Sequence, residues 1–229
     1  MPEFGGVSEN LFLSRLGQGS RPKASECHPG SLPRGLKPED AYTLEEKLTT
    51  FASRLEALGG EVLRVTDEAA AWATLRKVCK ARGINRALLG GGLDGLAKEL
   101  ADAGITAWQW PDFDLSLSGV EHARARIDGA EIGVAWVDYA VAELGAVAVQ
   151  AHPQTGRCVS LVPPLFVALV RRGCVRYFRR TVLKEIRQSS RYEVPLAFTF
   201  IAGPSRSADI EMDLSIGVHG PGQVMAIVI

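Results

Sequence analysis

Between Thr43 and Trp110 the chain alternates between helix and strand signals, with short connections. Thr43-Leu44-Glu45-Glu46 is a capping-box pattern, in which the hydroxyl and the Glu each serve the other's unpaired backbone amide. Leu44, Leu48, Phe51, Leu55 and Leu58 follow at helical spacing, and Gly59-Gly60 supplies a stop. Glu61 to Val65 reads as a strand, and Ala69 to Ala81 as a helix stopped by Gly83. Arg86 to Leu89 is the next strand, Asp94 to Ala103 a helix stopped by Gly104, and Thr106 to Trp110 a strand again. Such alternation predicts an α/β fold, a mostly parallel sheet covered by helices.

The chain has 229 residues, enough for one large domain, or for a domain with an extra arm. Residues 1–40 read as that arm. Asn10 to Leu16 has the pattern of a short amphipathic helix, and Gly17 to Pro38 is rich in Gly, Pro and Ser. Residues 41–229 read as a single domain. Lys and Arg together number 26, as do Asp and Glu, a balance that argues against a nucleic-acid binder. No apolar run reaches the roughly 20 residues that span a bilayer. Met1 to Glu26 is polar and lacks the apolar core of a secretory signal, so a cytosolic location is expected. Cys27, Cys79, Cys158 and Cys174 are scattered, which predicts reduced thiols with neither a zinc site nor an iron–sulfur cluster on this chain.

The second half is less regular. Pro111 to Val120 reads as a loop, and Val134 to Val137 as a short strand. A helical turn is expected from Asp138 to Leu144, then a glycine break, a strand from Ala146 to Gln150, and a polar turn from Pro153 to Arg157. Leu165 to Val170 is strand-like and Tyr177 to Arg191 helical. Two apolar runs, Leu196 to Ile201 and Val224 to Ile229, flank a polar glycine-rich stretch. They are expected to hold it at one rim of a sheet, the kind of place where open α/β sheets bind ligands.

Four constellations carry candidate chemistry. Gly90-Gly91-Gly92-Leu93-Asp94-Gly95 matches a dinucleotide fingerprint between strand and helix, with Asp112 beyond the next strand. The simpler reading, a tight turn that uses glycines for geometry alone, is favoured. Glu143, with Asp138 and Tyr139 before it, is placed for work as a base or nucleophile, or else as an acceptor for backbone amides of an adjacent loop. His152 to Arg157 offers an anion contact but reads more simply as a surface turn. Ser205, Arg206 and Ser207 present hydroxyls, a guanidinium and successive amides to an anion, in a turn expected to open a helix. Asp209, Glu211 and His219 lie close behind; His219 is a candidate general base or ligand, and the three could bind a metal although nothing in their spacing demands it. The alternative is a hydrogen-bonded loop in which Asp209 caps amides and pairs with Arg206.

At these residues a family pattern emerges. Ala197 to Glu211, with Gly217-Val218-His219-Gly220-Pro221, resembles the signature of the lactate utilization protein C family, the LUD domain. Asp138 to Gly145 is similar to that family's second motif, and Gly156 to Pro164 to a third. The resemblance implies a fold like that of ribose-5-phosphate isomerase and the CoA transferases, a three-layer α/β domain. It implies a part in oxidising L-lactate to pyruvate beside iron–sulfur partner proteins, with a small carboxylate as ligand. CoA transferases of related fold use a glutamate nucleophile, an analogy that points to Glu143. Leu144 and Ala146 depart from the family, which usually has hydroxyl residues there. The expected site is therefore Glu143 and His219 for proton handling, with Ser205, Arg206, Asp209 and Glu211 around an anion. A stand-alone enzyme acting on a phosphosugar, CoA ester or dinucleotide, and a non-catalytic assembly subunit, are the alternatives.

Overall fold

A computed structural model describes residues 37–116, 118–189, 197–208, 214–216 and 220–229. The expected arm, residues 1–40, lies almost wholly outside them. Glu39–Ile229 forms one compact unit.

The unit opens with a 3-10 turn, Glu39–Ala41, and helix α1, Leu44–Ala57. The capping box closes as its residues require: Glu46 N donates to Thr43 Oγ1 at 3.2 Å, and Thr43 N to Glu46 Oε2 at 2.7 Å. Leu48, Phe51 and Leu55 form the buried stripe of α1. Next come β1 (Glu61–Arg64), α2 (Glu68–Arg82), β2 (Arg86–Leu89), α3 (Asp94–Asp102) and β3 (Thr106–Gln109). Gly83 ends α2 in the left-handed region at φ 66°, as a glycine stop predicts. Helix α4 (Val120–Asp128) follows, then β4 (Ile132–Trp136), β5 (Tyr139–Val141) and β6 (Ala146–Ala151). The chain continues through α5 (Arg157–Leu161), β7 (Leu165–Val170), β8 (Val175–Arg176) and α6 (Arg179–Ser189). It finishes with β9 (Ala197–Ile201), β10 (Arg206–Ala208), β11 (Leu214–Ile216) and β12 (Gln223–Val228).

Six strands form a wholly parallel sheet in the order β1-β12-β7-β4-β2-β3. Its central strand β7 is buried at every position, the continuous apolar run expected of a strand covered on both faces. One face packs against α2 and α3 through Leu75, Cys79, Leu93, Leu96 and Leu100. The other packs against α1, α4, α5 and a second sheet through Phe51, Ile127, Val159, Val147 and Ile201. The result is the expected layered α/β architecture.

That second sheet differs from the sequence expectation. It has the order β8-β5-β6-β9, with β6 antiparallel to both neighbours. The segment expected as a helical turn is therefore β5 followed by a 3-10 turn, Ala142–Leu144. The two apolar runs flanking the polar stretch also part company: β9 joins the small sheet and β12 the large one. Hydrophobicity marks both as buried strands but carries no information about which sheet receives them.

Candidate functional site

The Glu143 turn is built by compression. Gly145 ends it at φ 59°, and a Cβ there would lie 2.6 Å from Arg54 Cβ and press on the backbone nitrogen of Leu55. Only glycine combines that φ with that approach to α1. Within the turn, Glu143 N donates to Tyr177 O at 2.9 Å, and Glu143 Oε1 accepts from Arg179 N at 2.7 Å. The carboxylate thus holds the first turn of α6, where backbone amides lack helical partners and favour negative charge. Among the described residues, Glu143 Oε2 accepts no hydrogen bond.

Aromatic groups crowd the same place. Tyr42 and Tyr177 stack with ring centroids 3.6 Å apart. Burial, then the bond to the Tyr42 phenol, pushes the Tyr177 phenol above its ordinary pKa; Arg54 opposes the shift and Glu143 adds to it. A second carboxylate, Glu39, accepts from Tyr177 N at 2.7 Å and from Phe178 N and Thr181 Oγ1 at 3.0 Å. Lys47 Nζ sits 2.8 Å from it. Burial alone would raise the Glu39 pKa, but the bonds from Lys47, Tyr177, Phe178 and Thr181 outweigh it and hold the carboxyl below its ordinary value.

The glycine-rich stretch reaches the same helix. Because Val147 pairs with Ile201 across β6 and β9, the loop after β9 leaves beside the Glu143 turn. Gly203, at φ 83°, presses on the C-terminal end of α1, where a Cβ would lie 3.0 Å from Leu58 O. Ser205 N donates to Pro221 O at 2.9 Å, which closes the loop on its far side. The Glu143 and Ser205 loops therefore rest on neighbouring turns of α1, at Arg54–Leu55 and at Leu58.

Arg206 begins β10, whose antiparallel partner β11 pairs Arg206 with Ile216. The segment expected to open a helix is this hairpin. Asp209, Glu211 and His219 lie outside the described residues. The rim also differs from expectation. Gly220 and Pro221 lead into the first residue of β12, and Gln223 N donates to Pro164 O just before β7. The loop thus meets the amino ends of the parallel strands, whereas the ligand crevice of open α/β sheets lies at the carboxyl ends.

The carboxyl rim holds the other motifs. Gly91 N donates to Gln154 O at 2.6 Å, and a Cβ on Gly90 would lie 3.0 Å from Thr155 Oγ1. The turn at His152 to Thr155 lies on the glycine loop, so these glycines serve close approach of chain to chain. The Gly91 amide that a pyrophosphate would need is already engaged. Asp138 accepts from Gln150 N at 2.7 Å and Gln150 Nε2 at 3.2 Å, a local brace rather than an open carboxylate. His152 Nδ1 accepts from Gln154 N at 3.2 Å.

A family model for the LUD domain matches residues 48–229, which include both loops on α1. The chain belongs to the LUD domain family. Lactate utilization protein C from Bacillus velezensis is 34% identical over 128 residues, 55% of this chain and 51% of that protein. The protein of that name from Halalkalibacterium halodurans is 32% identical over 154 residues, 60% of this chain and 67% of that one. That from Anoxybacillus flavithermus is 37% identical over 119 residues, covering 51% and 53%. The matched segment thus spans about half to two thirds of these relatives' own lengths. The crystal structure of a DUF162 family protein from Deinococcus radiodurans superposes with a TM-score of 0.56 over 82% of this chain and 98% of that one, at 21% identity. That likeness shows the shared fold.

In this LUD domain the sequence motifs do not contain the whole Glu143 neighbourhood. Glu39, Tyr42 and Tyr177 escaped sequence reasoning because each acts through a partner far away in the chain. Among the described residues, no group of three or more His, Cys, Asp or Glu could hold a metal ion, and no helix is long and apolar enough to cross a membrane. Burial pushes the Cys79 and Cys174 thiols up to about 11, which suppresses their thiolates.

Proposed function

We propose that this chain is a component of a cytosolic system that oxidises L-lactate to pyruvate, acting with iron–sulfur partner proteins through a small-carboxylate site between the Glu143 and Ser205 loops. The observation carrying this reading is the seating of both family loops on neighbouring turns of α1, at Arg54–Leu55 and Leu58. The names of the matched relatives support a part in lactate utilization.

In this scheme Arg206 holds the substrate carboxylate, with Ser205, Asp209 and Glu211 around it. Oxidation of L-lactate releases two electrons and two protons. The O–H and C2–H bonds of lactate break as the C2=O bond forms: the two electrons pass to the iron–sulfur partners, Glu143 or His219 accepts the hydroxyl proton, and the C2 proton is released to solvent. Glu143 Oε2, which accepts no bond among the described residues, is the oxygen suited to that role. The Arg179 amide fixes the other oxygen and so orients the group.

The same bond favours a second reading. A carboxylate that caps α6 has a structural use, and a chain whose Glu143 only caps would serve assembly rather than chemistry. An anaerobic pull-down from native cells, with lactate-dependent electron transfer assayed with and without the chain, tests the first reading. Recovery of iron–sulfur proteins and activity that needs the chain support it. Absence of both sinks it and leaves a stand-alone enzyme to be sought among phosphosugars, CoA esters and dinucleotides. Full activity of Glu143→Gln and His219→Ala, with loss on deletion, selects the assembly reading.

A further inference from the structure

Two carboxylates meet at the start of α6, and only one belongs to a family motif. A helix N-terminus offers several backbone amides without helical partners. Glu39 takes the amides of Tyr177 and Phe178, the two residues that lead into the helix, at 2.7 and 3.0 Å, together with the Thr181 hydroxyl at 3.0 Å. Glu143 takes the next one, Arg179 N, at 2.7 Å. Tyr177 is gripped from both sides: its N–H donates to Glu39, and its carbonyl accepts the Glu143 N–H at 2.9 Å. Lys47 at 2.8 Å balances the Glu39 charge, which lets two carboxylates share one helix end.

We infer that Glu39 is a positioning residue for Glu143: by occupying the amides of Tyr177 and Phe178, it confines Glu143 to the Arg179 amide and leaves Glu143 Oε2 without a backbone amide to bind. The inference rests on the reading that Glu143 handles a proton, and it adds a cause for the orientation that role requires. Bonds to an ionised carboxylate are the stronger kind, so vacated amides draw in the nearest remaining anion. With Glu39 gone, that anion is Glu143, held on the next amide along the chain. Its carboxylate turns into the amides, and Oε2 is taken up by them. The stack of Tyr42 on Tyr177 loses its anchor at the same time, because the 3-10 turn Glu39–Ala41 is held through this carboxylate.

The experiment uses the full chain, isotope-labelled, in Glu39→Ala, Glu39→Gln and Glu143→Gln forms. The amide proton resonances of Tyr177, Phe178 and Arg179 report which amides face a carboxylate. In Glu39→Ala the Arg179 resonance moves as Glu143 redistributes, and lactate-dependent activity of the reconstituted system drops about tenfold or more. Glu39→Gln, which keeps an acceptor for the same amides, restores most of both. A Glu39 that only held the fold would lower the stability of Glu39→Ala without redistributing Glu143, and the Arg179 resonance would stay in place. An Arg179 resonance unchanged in Glu39→Ala overturns the inference, whatever the activity. Should that variant not fold, Lys47→Met, which weakens the clamp without removing it, must shift the same resonance in the same direction, or the inference fails. If Glu143→Gln is fully active, the proton-handling role falls, while the amide resonances still decide the positioning claim.

Discussion

Gly145 lies against Arg54 so closely that a Cβ on it would come within 2.6 Å of the Arg54 Cβ. This contact seats the Glu143 turn on α1, and it has a measurable cost. Gly145→Ala meets both a left-handed φ of 59° and a collision with helix backbone, and α1 cannot retreat because Leu48, Phe51 and Leu55 are buried beneath it. Strain of this kind costs about 1–3 kcal/mol before the collision is counted. Gly83→Ala is the control: its φ is 66°, but nothing lies within 4 Å of the added atom. That change should cost about 1–2 kcal/mol. Urea unfolding of the two variants should therefore rank Gly145→Ala well below Gly83→Ala; equal losses would mean that the turn is not pressed on the helix.

Acid should loosen the Glu39 clamp. Glu39 has a folded-state pKa below the ordinary value of 4.5, so the unfolded chain binds the proton more readily. Its stabilising contribution is present above pH 4.5 and is lost as pH falls through the lower folded-state value. Glu39→Gln cannot titrate and lacks this dependence. The stability gap between wild type and Glu39→Gln should hold from neutral pH down to about pH 5 and shrink below that. Parallel stability curves down to pH 3 would show that Glu39 is not held as a bonded carboxylate.

The parts of this fold that were legible in the sequence are those decided locally. The capping box at Thr43, the glycine stops after α1 and α2, and the apolar run of β7 each depend on neighbours in the chain. Helix α4 was not legible because its buried side is one residue per turn, Ala123 and Ile127, among Glu121, His122, Arg124, Arg126 and Asp128. The second sheet was not legible because β5 is three residues long and takes its strand character from partners in β6 and β8. At the candidate site, Glu143 was named from its motif, and one of its two weighed roles, acceptance of a backbone amide, is present in the Arg179 bond. Glu39 was invisible because its amide partners lie 138 and 139 positions away.

Asp138 should prove a brace. Its two oxygens hold the Gln150 backbone and side chain, and all three groups are partly buried. Asp138→Ala leaves the Gln150 amide without its acceptor, a loss of about 1–3 kcal/mol. Asp138→Asn keeps one acceptor oxygen for the backbone amide and should recover part of that. Thermal unfolding measures both. Loss of activity in Asp138→Asn without loss of stability would instead place this carboxylate in the chemistry.

Arg206 gives the sharpest division between function and framework. Its backbone is fixed by the β10–β11 pairing, where Arg206 stands opposite Ile216, and that pairing does not depend on the side chain. Arg206→Ala, which leaves that backbone pairing in place, should leave the melting temperature nearly unchanged. If the guanidinium holds the substrate carboxylate, the same change should weaken L-lactate or pyruvate binding by about tenfold or more, since charge-assisted bonds to a carboxylate are among the stronger ones. Glu143→Gln, which keeps an acceptor for Arg179 N, should leave carboxylate binding largely intact while removing proton transfer. Calorimetric titration of the two variants with L-lactate separates holding from proton handling. A large drop in melting temperature for Arg206→Ala with binding preserved would assign the guanidinium to the framework of the loop and move the anion contact to another residue.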